Sequence, residues 1–178
     1  MITCLCVFRV ERCVVIVGYD SGDDDQSLIS PDVCCVSLQQ PDRVRSLMPL
    51  PTRMRYESAA CVPPSGRQLY VTGVGQNMKE TWKLDPESGW TRCADMNQDR
   101  RRHCATFVND ASMYVLGGMS NEHVILCSIE KYDVETNAWS LIGRLKYPTC
   151  LAACTVFNES IYVFGGRRTL QKASLGCV

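Results

Sequence analysis

Histidine is nearly missing from this chain: there are two in 178 residues, His103 and His123. That leaves little for a histidine-based metal centre or general base. No H-E-x-x-H, G-x-S-x-G or Walker A pattern is present, so the common zinc-protease, serine-hydrolase and nucleotide-loop chemistries lack their motifs. No apolar run approaches the roughly 18 residues that a membrane helix needs. Charge of one sign is lacking too: 19 basic and 19 acidic residues cancel, and nucleic-acid binding would favour a basic face. A helical apolar period is absent along the whole chain. "MITCLCVF" followed by "RVER" has neither the basic start nor the small-residue cleavage site of a secretory leader. These absences predict a cytoplasmic, non-catalytic chain with no cofactor, no membrane partner and no nucleic-acid partner.

Cysteine, by contrast, is abundant, with twelve residues. A disulfide framework belongs to short chains with a secretory signal, which this chain does not resemble. Zinc sites want paired ligands at set spacing. Cys4/Cys6 and Cys34/Cys35 are spaced wrongly, and Cys150/Cys154 has no second pair beside it. The thiols are therefore expected to serve as small buried apolar groups. Cys104, beside Arg101, Arg102 and His103, is the one candidate for an electrophile-sensing thiol, because nearby cations lower a thiol pKa. The "SGDDDQS" loop at Ser21 to Ser27 lacks the spacing and terminal Glu of a calcium loop and reads as a solvated turn. Asn158-Glu159-Ser160 matches a glycosylation sequon but falls in an expected hairpin turn.

What the chain does have is internal repetition. "SMYVLGG" at Ser112 to Gly118 returns as "SIYVFGG" at Ser160 to Gly166. "QLYVTGVG" at Gln68 and "CVVIVGYD" at Cys13 are weaker copies. The first glycines are Gly18, Gly73, Gly117 and Gly165, giving periods of 55, 44 and 48 residues. Periods near 50 mark propeller-type arrays. The second half of each unit repeats as well: "WKLDPESGW" from Trp82 parallels "EKYDVETNAW" from Glu130. Turn residues separate β-branched and aromatic runs, so each unit reads as four short strands. Small residues recur in the first strand, "AAC" at Ala59, "CAT" at Cys104 and "AAC" at Ala152, where radial sheets are closest.

This order of apolar strand, glycine doublet, polar loop, Tyr-Asp and Trp resembles the Kelch repeat. The landmarks are Gly73, Trp82, Trp90, Gly117, Gly118, Tyr132, Asp133, Trp139, Gly165 and Gly166. The match is close over Ser112 to Gly166, fair from Gln68 to Trp90, and poor before residue 67. In the first repeat "VCCVSLQQPDRVRSL" occupies the two outer strands. The expected fold is all-β: a partial, incomplete Kelch-type propeller of about three four-stranded antiparallel blades plus the start of a fourth. The expected organisation is an N-terminal segment 1–12, repeats over 13–166 (13–57, 58–101, 102–149 and a partial 150–166), and a tail 167–178. The chain is expected to be a truncated form, with open sheet edges that invite self-association.

The resemblance implies a non-catalytic protein-interaction module. In Kelch-like proteins the propeller holds a protein substrate or peptide for a cullin-RING ubiquitin ligase, which is reached through BTB and BACK segments absent here. Alternatives are an actin-binding Kelch protein and a copper oxidase similar to galactose oxidase, the latter disfavoured by two histidines. The loops lining the binding face would be those after the glycines and those joining one repeat to the next. On them lie Arg55, Tyr56, Asn77, Arg101, Arg102, His103, Asn121 and Tyr147. Arg and Tyr are residue types enriched at binding hot spots. Arg55 and Arg101, or Arg102 in an equal register, align with an arginine that precedes the inner strand in the family.

Overall fold

The structure, a computed structural model, describes residues 5–8, 13–17, 33–37, 44–52 and 57–169. Among the described residues there is no helix. The first sheet holds β1 (Leu5–Phe8), β2 (Cys13–Val17), β3 (Val33–Ser37) and β4 (Val44–Leu47). The second holds β5 (Ala59–Cys61), β6 (Leu69–Val74), β7 (Glu80–Asp85) and β8 (Gly89–Arg92). The third holds β9 (Cys104–Asn109), β10 (Ser112–Leu116), β11 (Ser128–Asp133) and β12 (Ala138–Arg144). β13 (Cys150–Phe157) and β14 (Ser160–Arg167) form a two-stranded fourth sheet. In every sheet the strands lie in chain order and pair antiparallel. This is the all-β partial propeller expected from the repeat.

The first strands adjoin in succession, β1 beside β5, β5 beside β9, and β9 beside β13. They line the inside of the array, and the small residues fit there: Ala59, Ala60 and Cys61 are all buried. The first sheet starts at Leu5, so the segment 1–12, read from the sequence as preceding the repeats, supplies an inner strand. "LCVF" is short and lacks the paired small residues that flag the other inner strands.

The cores lie between neighbouring sheets. β6 is buried along its whole length, because its two faces meet different neighbours. Successive side chains of a strand point to opposite faces. Leu69 and Val71 pack with Val33, Leu50 and Leu84 between the first and second sheets. Tyr70, between them in sequence, packs with Phe107, Met113 and Tyr132 between the second and third. Each such side chain contributes roughly 1.5–3 kcal/mol when fully buried.

The recurring landmarks clasp one sheet to the next. The Trp90 indole N–H on β8 donates to the Met48 carbonyl at 2.8 Å, just beyond the first sheet. Trp139 on β12 does the same to the Ala94 carbonyl at 3.0 Å, just beyond the second. Trp82, on β7, instead donates to Glu80 within its own strand at 2.9 Å. The Tyr132 hydroxyl donates to Asn137 Oδ1 at 2.8 Å, and that oxygen also accepts the Ala94 N–H at 2.8 Å. Asp133 Oδ1 accepts the Thr136 N–H and hydroxyl, both at 2.9 Å, which closes the turn before the tryptophan strand. Asp85 does the same job with the Glu87 and Ser88 N–H groups at 3.0 and 3.2 Å. These donors hold both carboxyls below the usual aspartate range.

The glycine doublet marks the place where the next linker crosses the strand end. Gly117 has φ +61, and a Cβ there would sit 2.2 Å from the Thr149 carbonyl oxygen. Gly118 donates its N–H to that same oxygen at 2.8 Å. At the equivalent Gly165, φ is +67 but a Cβ would meet nothing within 4 Å. The fourth sheet is correspondingly bare: Phe164 is 57 % exposed, whereas its repeat partner Leu116 is 5 % exposed.

Candidate functional site

At one end of the sheets, the loops following the glycines meet the linkers between sheets. Met96 donates its N–H to the Lys79 carbonyl at 2.9 Å, and Lys79 Nζ donates to the Asn97 carbonyl at 3.0 Å. Arg101 and Met119 exchange backbone hydrogen bonds at 2.9 and 2.7 Å. Thr149 donates to the Leu126 carbonyl at 3.0 Å. The result is a fixed surface of side chains carried on residues 75–79, 97–103, 119–127 and 145–149. At the opposite end the short hairpin turns meet, with the Ser65 N–H on Asp110 Oδ1 at 2.8 Å.

Asn77, Asn121 and Tyr147 are exposed on the loop end. Asn77 Oδ1 accepts the Lys79 N–H at 3.1 Å, which shapes the loop after β6. Asn121 is held through its N–H, which donates to Asp99 Oδ2 at 2.5 Å. Two cations lie over the Tyr147 ring, with Arg168 Cζ 4.0 Å and Lys146 Nζ 5.3 Å from its centroid. Among the described residues neither Lys146 nor Arg168 forms a salt bridge. Arg55 and Tyr56 lie outside the described residues.

The arginine-histidine run is mostly tied into the fold. Arg102 has φ +58 and its guanidinium is paired with Glu57. Its backbone ties the linker before β5 to β13, donating to the Glu57 carbonyl and accepting the Leu151 N–H, each at 2.8 Å. Arg101 is half-buried, and its Nε has no hydrogen-bond partner. His103, expected on the loop surface, is buried instead. Its Nε2 is 2.8 Å from the Thr72 hydroxyl, and it packs against Gly73. Burial, aided by the neighbouring Arg100 charge, pushes its pKa down to about 3, so it is neutral at ordinary pH.

Sequence reasoning passed over Arg100. It is fully buried and pairs with fully buried Glu130 on β11 at 2.5 Å. Its Nη1 donates to the Gly117 carbonyl at 2.7 Å and Nη2 to the Ser128 hydroxyl at 3.1 Å. Glu130 also accepts the Asn97 N–H and side-chain amide at 2.8 and 2.9 Å, and the Gln98 N–H at 3.1 Å. This pair seats the linker on the third sheet. The available signal was Glu130 itself: in "SIEKYD" it falls on the buried face of an alternating strand, and a buried carboxylate needs a cation.

Among the described residues Cys34, Cys61, Cys93, Cys104, Cys127, Cys150 and Cys154 are reduced, outside any disulfide. Burial raises the pKa of Cys93 and of Cys150. Cys104 is shifted down, but the main cause is a hydrogen bond from Cys154, not the neighbouring basic residues. Among the described residues no group of three His, Cys, Asp or Glu side chains is placed to hold a metal ion. Nor is any described helix long and apolar enough to cross a membrane.

The Kelch motif profile matches residues 100–146. Kelch-like protein 36 of Rattus norvegicus is 28% identical over 169 residues, covering 90% of this chain and 26% of that protein. Kelch-like protein 33 of Homo sapiens is 29% identical over 175 residues, covering 88% of this chain and 32% of that protein. Kelch-like protein 23 of Mus musculus is 35% identical over 91 residues, half of this chain and 16% of that protein. The chain thus spans about a quarter of the length of the first of these relatives.

Proposed function

This chain is a Kelch-repeat protein related to the Kelch-like proteins, and on that premise we propose that its loop end holds a peptide segment of a partner protein. The observation that carries the reading is Tyr147, exposed with the cations of Lys146 and Arg168 beside its ring and no acid engaged by either among the described residues. An aromatic with flanking cations suits a segment bearing carboxylates: Arg can grip a carboxylate through two N–H groups, and the ring covers apolar neighbours. Asn77 and Asn121 add exposed amides that can bond to a peptide backbone. Arg101 and Arg102 are tied to the scaffold through Met119 and Glu57. The role is recognition without catalysis.

By resemblance, the partner is a substrate presented to a cullin-RING ubiquitin ligase in the cytoplasm. Attachment to the ligase would run through BTB and BACK segments of a longer parent protein. The test is affinity capture from cytosolic extract with the full chain and with a variant carrying Lys146→Ala, Tyr147→Ala and Arg168→Ala. All three side chains are exposed, so the variant should fold. Loss of captured proteins is expected. A variant that folds yet recovers the same set overturns the site. Recovery of actin as the main species, with saturable co-pelleting on filaments, favours cytoskeletal attachment over ligase work.

A further inference from the structure

β14 differs from its counterparts in having one neighbour. β2, β6 and β10 each lie between two strands of their own sheet. Among the described residues β14 pairs with β13 alone. The outer strands that edge the other sheets are blunted. β4 and β8 have four residues each, and β12 carries an irregularity where its pairing with β11 shifts register. Short or bulged edges resist pairing with another chain. β14 has eight residues and holds one register against β13.

The run Ser160 to Phe164 precedes Gly165 and Gly166, which both have positive φ. The matching run of β10, Ser112 to Leu116, is the part that pairs with β11. Asn158 and Glu159, with φ +47 and +59, join β13 to β14 as a two-residue hairpin turn. Phe157 and Ser160 are therefore a hydrogen-bonded pair. The alternation of an antiparallel ladder then turns the N–H and C=O groups of Ile161 and Val163 to the open edge. Tyr162 and Phe164 share a face with Phe157, and all three are exposed. The Phe157 and Tyr162 rings already meet, with centroids 6.4 Å apart.

We propose that β14 pairs antiparallel with β14 of a second copy of this chain, giving a symmetric dimer. The shared sheet would run β13-β14-β14-β13, four strands like each of the other three sheets. A twofold axis through Tyr162, perpendicular to the sheet, keeps each face on its own side. Ile161 then stands opposite Val163, so the outward N–H and C=O groups find partners. Tyr162 stands opposite Tyr162, an aromatic cross-strand pair.

Charge selects a second copy as the occupant. Antiparallel pairing brings the start of one strand beside the end of the other. Glu159 of each copy comes within one diagonal step of Arg167 of the other, close enough for long side chains to meet. Both residues are exposed, and neither forms a salt bridge among the described residues. The edge thus carries both halves of two ion pairs, which match when the strand meets itself. Because β14 runs from the hairpin turn towards the loop end, the two loop ends would face opposite ways. Each stays open, whatever it binds.

The experiment is sedimentation velocity on the full chain over a range of concentrations. The mass should rise from that of one chain to that of two. Glu159→Lys alone and Arg167→Glu alone should each weaken the dimer several-fold, because like charges then meet twice. The two changes in one chain should restore it. Both side chains are exposed, so the circular dichroism of all three variants should match the parent. Exchange of the Ile161 and Val163 amides for deuterium should slow as concentration rises and the copies pair, while exchange along β12 stays constant. A chain that remains monomeric at high micromolar concentration overturns the proposal. So does a dimer or larger assembly that ignores the single charge changes, or one that the double change fails to recover.

Discussion

Replacing Glu130 by Gln should be among the most damaging single changes outside the apolar core. Both members of the Arg100–Glu130 pair have fully buried side chains. The substitution keeps the shape but removes the negative charge, leaving a guanidinium without a counter-ion. It also turns an acceptor into a donor beside N–H groups of Asn97 and Gln98 that need an acceptor. Breaking one side of a buried pair costs about 3–5 kcal/mol. For a chain of this size each kcal/mol shifts the melting temperature by about 2–4 °C, so the fall should be about 6–20 °C. The exposed pair Arg92–Asp95, with Arg92 51% exposed, is the control. Arg92→Ala should cost less than about 1 kcal/mol. The double change Arg100→Met with Glu130→Leu should recover part of the loss. Recovery stays incomplete because the Gly117 carbonyl loses its 2.7 Å donor. Calorimetry or thermal circular dichroism reads all three. A Glu130→Gln protein melting within about 2 °C of the parent refutes the argument that this pair seats the linker.

Two further outcomes follow from other sites. His103 has a folded pKa of about 3 against an unfolded value near 6.5, so protons bind the unfolded chain more readily. The stability it contributes is complete above about pH 6.5 and is lost towards pH 3, at about 1.4 kcal/mol per unit. Denaturant titrations between pH 6.5 and 5, above the range where Asp85 and Asp133 titrate, should show that slope, and His103→Gln should flatten it. An unchanged slope removes His103 as the source. Gly117→Ala should destabilise by well over the roughly 1–2 kcal/mol of a left-handed residue, because its Cβ would lie 2.2 Å from the Thr149 oxygen. Gly165→Ala, with open space around it, should cost only the backbone strain. Equal losses in the two proteins would contradict the crossing-linker explanation of the doublet.

The landmarks that were legible make local demands. A glycine with positive φ, an aspartate closing a turn and a tryptophan five or six residues beyond it are written within a short stretch. They recur because each sheet needs the same exit, turn and clasp. What escaped reading depends on contacts distant in sequence. Three successive arginines, Arg100 to Arg102, look alike as text. Only Glu130, thirty residues on, decides that the first turns inward. The positive φ at Arg102 then breaks any simple alternation. His103 follows a polar run, yet Thr72 on another sheet takes it inside. Cys104 was marked for its basic neighbours, although the group that most lowers its pKa is a thiol fifty residues later. β1 was missed because its four apolar residues carry none of the repeat's signatures. Tyr147 was legible as a loop aromatic, but its cation partner Arg168 comes from beyond β14.

The backward reach of Trp90 and Trp139 gives the array a direction. Each tryptophan grips the chain as it leaves the preceding sheet, so a sheet is locked by the one made after it. Stability in stacked repeats is a sum over nearest neighbours. The fourth sheet, with two strands and no such grip upon its outgoing chain among the described residues, is the weakest link of that series. Amide protons should therefore wash out for deuterium first along β14 and last along β6, in a wave that travels inward from one flank.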